Sequence, residues 1–416
     1  MSSPSVGYLA LLRRNAAYRR LWLGQVATQF GDWFDSIALY AILWRLTGRA
    51  ESIGLLFIAQ YLPSTIAGIW GSTFIDRLPR KLVMIAADLG CAAVVLLLLL
   101  VRSAEQVWLI YVVMVVKFSL ASLYESARES AIPDVVENTD IVTATTIGSI
   151  TWSAMQAIGA ALGGLVVDQF GTEAAFGLDS LSFVISALLT FTVPMRESHL
   201  ADVSPSNAWQ ELRDGFVYLV REPEVGIYAL SKALWAIGGG GVILLLTVFG
   251  RELFALGENG SISIGLLFAA RGMGALIGPV LGQRWGGSSI RFLRRAIGPG
   301  FFIMGLGYAL FSQAHLLAVA CAAVLFAHCG GSVQWVFSTA LLQLTVPTRK
   351  LGRVFAAEYG IHTLILSLSS YLTGVAYDAG WSARELALWL SVSYLPLAIY
   401  LTFRLWREPS EAQRLG

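Results

Sequence analysis

The sequence predicts an all-α membrane protein: twelve transmembrane helices in two six-helix halves, with both termini in the cytoplasm. Three observations predict it. The 416 residues are 56% hydrophobic and only 13% charged, with a mean hydropathy of +0.66, far from the quarter-charged composition of soluble domains. Apolar runs of about 20 residues, each able to cross a ~30 Å hydrocarbon core as a helix, recur along the whole chain. The basic residues also alternate in side. About 21 of the 29 Lys and Arg lie in the N-terminus, the even-to-odd loops and the C-terminus, and about 5 lie in the opposite loops, which by the positive-inside rule puts both termini in the cytoplasm.

In chain order the spans are expected at residues 21–46, 52–75, 82–101, 106–128, 142–167, 174–194, 224–249, 262–284, 292–312, 315–341, 351–377 and 382–405. The start MSSPSVGYLALLRRNAAYRR has no signal-peptide cleavage pattern, so the first span is expected to be retained. Within that span Gln25, Gln29, Asp32 and Ser36 recur at i, i+4, i+7 and i+11, one polar stripe with Asp35 a step round from it. Asp32, Asp35, Lys117, Lys232, Arg271 and Glu358 all fall inside spans. At ~3 kcal/mol for each lipid-facing central charge the sum would be roughly 18 kcal/mol, above a typical total stability, so these side chains are expected to face the bundle interior or a wet cavity. A desolvated aspartate can carry a proton, whereas a nearby Lys117 would hold it ionised. Both readings stay open for Asp32, as does a structural bond to a neighbouring helix.

Span two opens on Ser52-Ile-Gly-Leu-Leu-Phe57, and span eight opens on the same six residues, Ser263 to Phe268. Continuing the register aligns Gly71 with Gly282 and Arg80 with Arg291, as a six-plus-six duplication requires. The expected division is therefore an N-terminal half at 1–194, a cytoplasmic linker at 195–223 and a C-terminal half at 224–416. In the linker Ser206 is a candidate cap for a helix whose Trp209, Leu212, Phe216 and Leu219 share an apolar face, which suits a helix lying in the cytoplasmic interface, with a solvated linker helix as the alternative.

The cytoplasmic end of span two reads Gly71-Ser-Thr-Phe-Ile-Asp76-Arg77-Leu-Pro79-Arg80-Lys81. It resembles the signature loop of the major facilitator superfamily, with Pro79 in place of the usual second glycine. Further stretches, Tyr124 to Asp134, Gly177 to Phe183, the linker helix, and Val346-Pro347 with Gly352 to Phe355, resemble the macrolide-efflux and enterobactin-exporter branch. The resemblance implies the major facilitator fold and alternating access. It also implies that Gly71, Asp76, Arg77, Arg80 and Lys81 form a cytoplasmic gate, with Glu125 and Arg128 at the end of span four beside it. The carboxylate would bind helix N-termini or arginines when that side closes. Gly159 to Gly164 in span five resembles the antiporter motif with Ala160 replacing proline, and Gly274 to Gly282 repeats the spacing; close packing through small residues explains both equally well. Four glycines, Gly238, Gly239, Gly240 and Gly241, interrupt span seven at mid-depth, at about 1 kcal/mol each in a helix interior; a hinge for rocking or gating is the expectation, with tight packing as the alternative.

The proton-coupling candidates are Asp32, Asp35, Glu358 and His362. Candidates for a substrate cavity are Gln29, Tyr40, Gln60, Tyr61, Lys117, Trp152, Gln156, Trp235, Arg271, His328, Gln334 and Trp335, since apolar walls with a few placed polar groups suit an amphipathic organic molecule. Cys91, Cys321 and Cys329 lie inside spans and show no disulfide or metal spacing. No cofactor, metal site or nucleic-acid partner is expected, and no nucleophile-and-base set suggests an enzyme. The expectation is a monomeric, multi-pass inner-membrane exporter of amphipathic small molecules, drug, macrolide or siderophore, driven by protons. A lysophospholipid flippase is the alternative within transport, and a non-transporting receptor or scaffold the alternative outside it.

Overall fold

The computed structural model describes residues 7–75, 78–195, 208–287 and 289–406, and every regular element among them is helical. The helices are α1 (Tyr8–Arg14), α2 (Ala16–Thr47), α3 (Ala50–Ile75), α4 (Arg80–Leu96), α5 (Val107–Val135), α6 (Ile141–Phe191), α7 (Ala208–Arg221), α8 (Pro223–Val248), α9 (Ser261–Gly286), α10 (Ile290–Gln313), α11 (Leu317–Thr345), α12 (Thr348–Asp378) and α13 (Ala383–Trp406). Local chemistry sets the ends of α2. The Asn15 side chain accepts from the Tyr18 N–H at 2.9 Å, and Gly48 closes the helix in the left-handed region at φ 64°. Gly171, at φ 79° and ψ 173°, bends α6 at the point where the sequence separates two spans.

Nine helical segments among the described residues are long and apolar enough to cross a membrane. α6, 51 residues long, counts once among them; α2 and α12, of 32 and 31 residues, are long enough but too polar to be counted. Twelve crossings therefore require α2 and α12 to cross as well and α6 to cross twice. The repeated hexapeptide sits in equivalent register, Ser52 and Ser263 each being the third residue of its helix.

The chain forms two compact units, residues 1–212 with 246–269, and 213–245 with 270–416. In the first, α2 packs on α6, α3 on α5, and α4 on both α5 and α6. Leu246–Ala269, which follows the linker in sequence, belongs to this unit. There Ala160 and Gly164 of α6 meet the start of α9: a Cβ on Gly164 would lie 2.5 Å from the Ser261 carbonyl oxygen, and one on Gly265 would lie 2.5 Å from that of Ala160. The Asp168 carboxylate accepts from the Glu258 backbone N–H at 2.6 Å.

In the second unit, α10 packs on α11 and α13. α8 is helical throughout Gly238 to Gly241. A Cβ on Gly238 would lie 2.5 Å from the Tyr394 ring, on Gly240 2.3 Å from the Leu366 carbonyl oxygen, and on Gly241 2.3 Å from the Thr373 hydroxyl, so close packing already requires small residues there. α7 forms as the linker sequence suggests, while its proposed cap, Ser206, lies outside the described residues. Its apolar side chains divide: Leu219 is buried, whereas Trp209, Phe216 and Val220 are exposed along one stripe.

Candidate functional site

The first unit assembles its site from three helices. Lys117 on α5 is 1% exposed, and its ammonium reaches Asp35 Oδ2 at 2.5 Å, Asp179 Oδ2 at 2.7 Å and Asp32 Oδ1 at 2.9 Å. The contacts to Asp35 and Asp179 are hydrogen bonds, and the contact to Asp32 is an ion pair. Asp35 and Asp179 are sealed, and each keeps one oxygen without a partner among the described residues. The Asp32 side chain is 39% exposed and is the cluster's accessible member. Phe183 lies under the ammonium, 5.3 Å from ring centroid to Nζ. Gly31 explains how α6 comes so near α2, since a Cβ there would lie 2.2 Å from Ser182 Oγ and 2.6 Å from Asp179 Oδ1.

Sequence reasoning singled out Asp32, Asp35 and Lys117 but not the role of Asp179. The available signal was its position in the expected span 174–194, the same criterion that selected the others. Asp88 on α4 was missed in the same way. It is 1% exposed beside Ser186, whose hydroxyl also lies 3.3 Å from that of Tyr124.

The remaining first-unit candidates disperse. Tyr40 is buried between Phe268, at 5.7 Å, and Phe57, at 5.9 Å, as core packing. Tyr61 stacks on Phe57 at 6.2 Å, Gln60 is buried against the Met114 sulfur, and Trp152 is 49% exposed. Gln156 is 1% exposed with neither side-chain polar atom partnered, and Gln29 Oε1 is likewise buried and unpartnered among the described residues.

Near the expected gate, Arg80 donates to the Ser130 carbonyl at 2.7 Å and to Asp134 at 3.0 Å, and Lys81 donates to the Val193 carbonyl at 2.9 Å. Arg128 holds Glu125 through two guanidinium nitrogens. Gly71 faces Leu123, whose Cδ2 would lie 2.1 Å from an added Cβ. Asp76 and Arg77 lie outside the described residues.

The second unit gathers Trp235, Trp335, Glu358 and His362 around Lys232. The Lys232–Glu358 pair is 2.8 Å long with both side chains buried, and the ammonium stands 4.6 Å from the Trp335 ring centroid. His362 packs against Trp335 at 4.9 Å and Trp235 at 5.7 Å, and its Nδ1 lies 3.1 Å from the Lys232 carbonyl oxygen. Gln334 is fully buried and donates to Ser231 Oγ at 2.8 Å, a core contact. Arg271 and His328 form a separate pair at 2.8 Å.

The arrangement can hold charge inside a membrane: two buried ammonium groups, each neutralised by carboxylates, and one exposed acid through which a proton or a cation can reach the first cluster. No group of His, Cys, Asp and Glu suited to a metal occurs among the described residues.

A family model described as Major Facilitator Superfamily matches residues 21–370. The chain is 25% identical to the uncharacterized MFS-type transporter YfiS of Bacillus subtilis, over 97% of this chain and 96% of that protein. It is 23% identical to macrolide efflux protein A of Streptococcus pyogenes, over 86% and 88%. Among solved structures, a bacterial homolog of the human lysosomal transporter Spinster, inward-facing and occupied, superposes with a TM-score of 0.72 at 14% identity, covering 93% of this chain and 96% of that one. The nucleoside transporter NupG superposes at 0.71 and 14% identity, covering 94% and 100%.

Proposed function

The chain belongs to the major facilitator superfamily, and from that premise we propose that it is a proton-coupled exporter of amphipathic small molecules, of drug, macrolide or siderophore type, working by alternating access in the cell's inner membrane. The observation that carries the reading is the Lys117 cluster. Three carboxylates and one ammonium leave two acids uncompensated when all are ionised, and an entering proton would neutralise one of them. Asp32 is the member that a proton can enter and leave, because it alone of the three carboxylates is exposed. The macrolide efflux protein and the multidrug resistance protein MdtG of Salmonella typhi, 24% identical over 63% of this chain and 65% of its own, support export as the direction. One proton moving down 100 mV supplies ~2.3 kcal/mol, enough for a roughly 50-fold gradient by one-to-one exchange.

The test is substrate-dependent proton flux in proteoliposomes, screened over drugs, siderophores and lysolipids. Asp32→Asn keeps shape and hydrogen bonding but cannot exchange a proton. It is expected to abolish pH-gradient-driven transport while leaving substrate binding and passive counterflow intact. Retained gradient-driven transport in both Asp32→Asn and Asp35→Asn would move the coupling role to Glu358 or His362.

A further inference from the structure

Three cations stand deep inside spans, and two of them have carboxylates: Lys117 has three and Lys232 has one. The third does not. Arg271 lies ten residues into α9, about 15 Å from its first residue, half-way through a hydrocarbon core, and no carboxylate pairs with it among the described residues. Its contact is a histidine, with Nε donating to His328 Nε2 at 2.8 Å.

That bond fixes the histidine's state. A guanidinium only donates, so Nε2 must accept, and the ring is neutral with its proton on Nδ1. Nδ1 lies 2.8 Å from the Tyr308 hydroxyl, and Tyr308 is itself 1% exposed and stacked on Tyr394. One turn beyond Arg271, a Cβ on Gly274 would lie 2.3 Å from the Leu325 carbonyl oxygen and 2.8 Å from His328 Cβ, so α9 and α11 are pressed together where the pair forms. The guanidinium is therefore held by a rigid, uncharged support that leaves its charge intact.

The two terminal nitrogens of Arg271 have no hydrogen-bond partner among the described residues and are not among the sealed unpartnered atoms, so they are accessible. A guanidinium at this depth cannot face hydrocarbon without a large penalty, so those donors open on a wet path or a ligand. Their planar fork matches a carboxylate or phosphate with two parallel bonds.

We propose that Arg271, oriented by His328 and Tyr308, is an anion-binding site that receives an acidic group, carboxylate or phosphate, of the transported molecule. The proposal rests on the reading of the chain as a transporter and narrows the cargo to amphiphiles bearing such a group.

The experiment is calorimetric titration of the purified full chain in detergent with 4-biphenylacetate and with its neutral carboxamide, a pair equal in size. Wild type is expected to bind the acid at least about tenfold more tightly than the amide, as charge-assisted bonds imply. Arg271→Gln should remove that preference and leave amide affinity within about twofold. His328→Gln, which keeps a donor and an acceptor but not the fixed ring, should weaken acid binding and spare the amide. Equal wild-type affinity for the two probes, absence of acid binding, or an acid preference that survives Arg271→Gln overturns the proposal. The wild-type comparison decides even where a variant cannot be purified. Acid-selective binding without gradient-driven transport would count against the transport reading alone, and coupled transport without acid preference against the anion site alone.

Discussion

At the scale of single residues, what the Lys117 cluster requires is balance. Removing a cation from among buried carboxylates costs more than the pair contributes, because the acids remain in a medium that cannot solvate them. Lys117→Met should therefore lower stability by about 3–5 kcal/mol, read as a fall in the thermal unfolding midpoint in detergent. Adding Asp35→Asn and Asp179→Asn to it should recover most of that loss; failure to recover would mean that Lys117 acts through packing and not charge. Legibility in the sequence followed the same line. Asp32, Asp35 and Lys117 announce themselves because charge within an apolar run is costly wherever the helix sits. That Asp179 completes the cluster depends on α6 lying within bonding distance of α2 and α5, which no local pattern encodes. Arg271 was visible as a charge, but its histidine partner, 57 positions away, was not.

At the scale of elements, the glycines decide how closely helices approach. Gly31→Ala would set a methyl 2.9 Å from Ser182 Cβ as well as against its hydroxyl. It should push α2 from α6 and destabilise by about 1–3 kcal/mol, with a unit-1 cluster too loose for coupling. Unfolding of the variant at the wild-type midpoint would contradict that account. Gly240→Ala separates two explanations of the glycine run. A methyl 2.3 Å from the Leu366 carbonyl oxygen must move backbone, so packing predicts reduced folded yield, whereas a hinge predicts normal yield with slowed transport. The sequence showed the glycines and left a hinge beside tight packing, because helix propensity is local and the close approach of α12 and α13 to them is not. The helices were legible for the opposite reason: each apolar run is a local property, and even the bend at Gly171 coincides with a short polar gap between two runs.

At the scale of the whole molecule, the gate can be tested without geometry for Asp76. On the gate reading, Asp76→Asn should impair transport in proteoliposomes by at least about tenfold while leaving normal amounts of folded protein in the membrane, since that reading gives the carboxylate a contact made in one state alone. Full activity would remove the signature loop from the mechanism. The repeated hexapeptide falls at the same position in α3 and α9, and the polar stretch before α8 carries a helix, both of which local sequence shows. What sequence order concealed is that residues 246–269 cluster with the N-terminal helices. The chain passes from one compact unit to the other after 212, 245 and 269, so a gene cut in the linker would not release two self-sufficient pieces. A fragment ending near 195 would bare Ala160 and Gly164, which Ser261 to Gly265 now cover, and should aggregate when made alone. Complementation by the co-expressed remainder would then be recognition of a missing insert, with the stretch from 246 to 269 as its minimal rescuing peptide.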